Sequence, residues 1–111
     1  MDRPDSSRYA LRLLPWVTPD GHPCYLSTDG AGYLARLADR MEALQLDTGS
    51  EVLGHARELM GGTSVPPDAL RFTATRLAEC LSDVLRVAES RGRRLDASTG
   101  GEGEGDPHVP L

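Results

Sequence analysis

His22, Cys24, His55 and Cys80 are the residue types that hold zinc, and His22-Pro23-Cys24 sets an imidazole and a thiol two positions apart. A structural zinc site is usually announced by paired knuckles of the Cys-x-x-Cys kind, whereas these four groups stand singly in three separate stretches. No metal and no cofactor are expected. Cys24 and Cys80 read as small apolar packing residues with free thiols, His22 as a turn residue facing water, and His55 as a surface or capping group beside Glu51.

Two other arrangements invite chemistry. Asp29-Gly30-Ala31-Gly32 lies between an extended stretch and a helical one, where backbone N–H groups can cradle a phosphate, but it lacks the further glycines and the lysine of such loops. Ser27, Thr28, Ser50 and Cys80 carry nucleophilic atoms, and none sits in a strand-turn-helix elbow with a base and an orienting acid at recognisable spacing. The reading is therefore a non-enzymatic chain.

Arg86, Arg91, Arg93 and Arg94 make one end of the last helical stretch basic, which supports an alternative role as a DNA-associated transcriptional regulator. Asp83 and Glu89 dilute that patch, and cations near a helix C-terminus already have a dipole reason to be there. Nucleic acid is thus the secondary expectation.

The elements that would position these groups are legible from punctuation and periodicity. Tyr9 to Val17 is rich in strand formers, Thr18-Pro19-Asp20-Gly21 is a type I turn signature, and His22 to Thr28 returns as a second strand. Pro15 and Pro23 are tolerable there only at an edge or a bulge. A hairpin over 9–28 follows.

Three helices are expected after it, at about 30–46, 48–61 and 67–91. Asp29 is the expected N-cap of the first, whose Leu34, Leu37, Ala38, Met41 and Leu44 share one face while Arg36, Asp39, Arg40 and Glu42 occupy the other. Thr48 and Glu51 have capping-box spacing for the second, which Gly61-Gly62 ends, and Pro67 with Asp68 opens the third. Along that third helix Leu70, Ala74, Leu77, Leu81, Val84 and Ala88 recur at alternating steps of four and three. Such a row must be buried, and helices one and two are its simplest cover. The fold class is α+β, mostly α: a three-helix bundle with an N-terminal β-hairpin.

The 111 residues suffice for one domain, expected over 9–95 after a flexible N-terminus at 1–8. Asp96 to Leu111 reads as a disordered acidic tail, and it holds Asp96, Glu102, Glu104 and Asp106 against a net charge of -5 for the whole chain. The folded part is then near neutral, which argues against general polyanion binding. Every basic side chain is arginine, as in a chain from a high-GC bacterial genome. No signal-like or membrane-spanning apolar run occurs, so a cytoplasmic location is expected.

Both faces of the expected hairpin carry apolar groups, with polarity only at Arg12 and Ser27, and Phe72 and Val87 project from a strip of helix three away from its main row. Leu14, Trp16, Tyr25, Phe72 and Val87 are accordingly assigned to contact with another protein or a second copy. The functional expectation is a small protein–protein interaction or regulatory module, with homodimerisation through the hairpin or helix three.

Overall fold

The computed structural model describes residues 10–99, with side chains to Asp96. Strands β1 (Ala10–Val17) and β2 (Pro23–Thr28) form an antiparallel hairpin, followed by helices α1 (Tyr33–Met60) and α2 (Pro67–Thr99). The class is α+β and mostly helical, as expected, but the described residues form two helices and not three. The expected flexible segment 1–8 lies outside the described residues. Of the expected acidic tail, Asp96 to Thr99 continue α2, and the remainder also lies outside them.

The hairpin turn forms as its residues dictate. Gly21 N–H donates to the Thr18 carbonyl at 2.8 Å, Thr18 N–H donates to the His22 carbonyl at 2.9 Å, and Gly21 takes φ 88°. That is a type I turn closed by a glycine in the left-handed region, the usual three-residue hairpin loop. The pairing register shifts between Leu13 and Val17, so Pro15 falls within a bulge, and Pro23 opens β2 opposite Val17. Both prolines thus sit where a missing N–H is tolerable. The bulge also explains why Leu13 and Leu14, adjacent in sequence, are both buried.

The expected break at 46–48 does not occur. α1 runs through Thr48-Gly49-Ser50, and a Cβ placed on Gly49 would meet Val84 Cγ2 of α2 at 3.3 Å. Gly49 is where the two helices approach each other, not a stop. Thr48 and Glu51 then have capping-box spacing with no helix end to cap. The start of α1 differs as well: Gly32 is the N-cap, and Asp29 turns the chain beforehand by accepting the Ala31 N–H at 3.0 Å.

The face that α1 turns inward is a row of mostly small residues, Ala35, Ala38, Glu42, Gln45, Gly49, Val52 and Ala56, at alternating steps of three and four. α2 answers with Ala69, Thr73, Cys80 and Val87, each one position before a member of the expected leucine row. Leu77 and Val84, at the margin between the two faces, are half-buried. Close helix approach selects small residues, so α2 is rotated by about one residue, roughly 100°, from the orientation that hydrophobicity alone suggests.

The hairpin packs on the end of the helical pair away from the α1–α2 loop. Gln45 Nε2 donates to the Pro15 carbonyl at 2.8 Å, and Ser90 Oγ donates to the Leu13 carbonyl at 2.8 Å. This cover extends over the C-terminal half of α2 only. Val87, expected outside the core, is therefore buried, while Phe72, about 22 Å further down the helix at 1.5 Å per residue, is 67% exposed.

Beneath the hairpin lies a buried ionic cluster. Glu42 is 1% exposed and its carboxylate accepts from Arg12 at 3.1 Å, Arg91 at 3.2 Å and Arg94 at 3.0 Å. Arg12, expected to face water from the hairpin, is 5% exposed and also donates to the Ala35 carbonyl at 3.0 Å and pairs with Asp39 at 2.8 Å. Burial acts to raise the Glu42 pKa, but hydrogen bonds and charge from Arg94 and Arg12 together outweigh it and hold the carboxyl below its ordinary value. Glu42 stays ionised and ties β1, α1 and α2 to one point.

Candidate functional site

The expected leucine row remains largely uncovered. Of its members Leu70, Ala74, Leu81 and Ala88 are exposed along one side of α2, and Leu85, which lies outside the expected row, is exposed beside them, Leu81 at 58% and Leu85 at 60%. Projection at 100° per residue places this row about 120° around the helix from the face that meets α1. A single chain seldom leaves so continuous an apolar strip in water. Where the row passes the hairpin, Leu85 joins Leu13, Val17 and Tyr25 in lining an open cleft of about 320 Å³, with Arg86 and Glu89 at its side. The row and the outer part of the hairpin are therefore continuous.

The residues assigned to partner contact separate into two groups. Leu14 and Val87 are buried within the chain, where they hold the hairpin to the helices. Trp16 is half-buried, and Tyr25 and Phe72 are exposed. Tyr25 is held by Arg93, whose guanidinium lies 5.6 Å over its ring and donates to its hydroxyl at 3.3 Å. The larger uncovered surface, Leu70 through Leu85, escapes assignment to contact from sequence because its regular spacing reads as core.

The arginines of the DNA-associated alternative are each engaged with an acid. Arg86 pairs with Asp83 at 3.2 Å and Arg93 with Glu89 at 2.7 Å, while Arg91 and Arg94 turn inward to Glu42. Arg94 also hydrogen-bonds Ser90. At 100° per residue Arg86 and Arg93 share one side of α2, while Arg94 and Arg91 lie roughly 80–160° around the helix from them. The Asp83, Glu89 and Glu79 pairings, the last with Arg76 at 2.6 Å, are those that the three- and four-residue spacings predict.

The groups with chemical potential are not brought together. Among the described residues no group of three or more His, Cys, Asp or Glu side chains could hold a metal ion. Cys80 is buried between the helices, Cys24 is half-buried on β2, and His22 is exposed at the hairpin turn, 3.1 Å from Asp20. The pKa of the Asp20 carboxyl is lowered chiefly by the Thr18 hydroxyl, which donates to it at 2.6 Å. In the Asp29–Gly32 loop, Gly30 N–H is taken by Thr28 Oγ1 at 2.9 Å and Ala31 N–H by Asp29, so two of the N–H groups that a phosphate cradle would use are engaged within the chain. No described helix is long and apolar enough to cross a membrane.

Comparison with family models, curated proteins and solved structures finds no match to this chain.

Proposed function

We propose that this protein is a non-enzymatic protein–protein interaction or regulatory module that works through the uncovered apolar side of α2 and the adjoining outer hairpin. The observation that carries the reading is the exposed row Leu70, Ala74, Leu81, Leu85 and Ala88 on a helix whose inner face is already satisfied by small residues. Burying such a row against a partner removes apolar area from water at about 25 cal/mol per Å². A helix laid on a helix or in an apolar groove is the mode of contact that this spacing suits.

The test is affinity capture from the native host with the tagged full chain and with a Leu77→Gln, Leu81→Gln variant, after circular dichroism shows equal helicity. The reading expects a defined protein, a second copy of the chain included, to be retained by the wild type and lost from the variant. Identical capture by both, or none by either, overturns it.

A further inference from the structure

We propose that the occupant of the α2 row is the same row of a second copy, crossing antiparallel near Leu81, so that two helical hairpins close into a four-helix assembly. The proposal rests on the interaction reading above and names the partner. Three features of the chain support it.

The row is nearly symmetric about its own centre. Reversed end for end about Leu81, Leu77 falls opposite Leu85, Ala74 opposite Ala88, and Leu81 opposite itself. An isologous contact requires this property, because each residue of the patch must fit its own mirror position in the other subunit. Leucines then meet leucines at the centre, and alanines meet alanines on either side, where the backbones can come close.

Charge selects the same direction. The margin of the row away from α1 carries Arg71, Ala78, Ser82 and Glu89, positive at one end, neutral in the middle and negative at the other. Arg71 makes no ion pair among the described residues, and Glu89 is half exposed beside Arg93. Arg71 lies about 15 Å before Leu81 and Glu89 about 12 Å after it at 1.5 Å per residue. An antiparallel crossing keeps this margin of each copy on the same side and brings Arg71 of one copy alongside Glu89 of the other, twice by symmetry, whereas a parallel two-fold sets the margin against the opposite margin of the partner and forms neither pair.

The third feature is that the opposite margin is closed by α1. Thr73, Cys80 and Val87 face inward there, so a partner can approach only from the side that carries Arg71 and Glu89.

The experiment is light scattering on the full chain as wild type, Arg71→Glu, Glu89→Arg and the double exchange. Circular dichroism is recorded on each. The wild type is expected at twice the mass of one chain; each single exchange should weaken association at least tenfold, and the double exchange should restore it. A wild type at the mass of one chain at the highest soluble concentration overturns the pairing but leaves the interaction reading to its own capture test. Single exchanges that associate as tightly as the wild type, or a double exchange no better than the singles, also overturn it.

Discussion

Ser90 Oγ donates to the Leu13 carbonyl at 2.8 Å across 77 residues of sequence, joining the last helix to the first strand. Both residues are buried, so the bond has no water to replace it. Ser90→Ala leaves that carbonyl without its donor and is expected to cost about 1–2 kcal/mol, the usual penalty for an unsatisfied buried acceptor. Urea denaturation followed by circular dichroism reads the loss.

The Glu42 cluster makes a larger demand. Arg94 and Arg91 can turn partly to water, but Arg12 cannot, so Glu42→Gln strands a buried guanidinium with Asp39 as its remaining acid. A loss of about 2–4 kcal/mol is expected, below the upper end for fully buried pairs. Arg12→Met with Glu42→Leu should cost clearly less than the sum of the two single changes, and a double-mutant cycle measures the difference.

The same carboxylate gives stability a pH dependence. Its pKa is lower folded than unfolded, so the unfolded chain takes up the proton first as pH falls. The contribution is complete above the ordinary glutamate value, about 4.3, and is lost as pH falls through that value and on down to the folded one. Urea midpoints between pH 6 and pH 3 should therefore fall more steeply for the wild type than for Glu42→Gln. Equal slopes would contradict the assignment.

Glycines separate helix propensity from packing. Gly54 lies within α1, and a methyl group added to it would meet nothing within 4 Å, so Gly54→Ala should gain about 0.5–1 kcal/mol. At Gly49 the same gain is opposed by the 3.3 Å approach to Val84, and Gly49→Ala should gain less, while Gly49→Leu should destabilise. At Gly21, with φ 88°, Gly21→Ala should cost about 1–2 kcal/mol. Thermal unfolding orders the four variants.

How far the sequence reveals this fold depends on the range of the interaction responsible. The Thr18-Pro19-Asp20-Gly21 turn, the Pro67 helix start, the Gly61 stop and the arginine–acid pairs along α2 are local, and each is legible. Gly49 reads as a break because its reason for being small, Val84, lies 35 positions away. Arg12 and Glu42 read as solvent-facing because only the assembled chain brings them together. The leucine row reads as core for a sound reason, its apolar periodicity, yet among the described residues no element covers most of it. The candidate surface is thus visible as a pattern while its place, outside and not inside, is not.

The concentration dependence of thermal unfolding tests this account most directly, because a row covered by a second copy links stability to association. The unfolding midpoint of the full chain is predicted to rise over a hundredfold increase in protein concentration. That rise should vanish in a Leu77→Gln, Leu81→Gln, Leu85→Gln variant that keeps its helicity. A wild-type midpoint independent of concentration, with helicity lost in the variant, would make the row part of a single chain's own core and contradict the account.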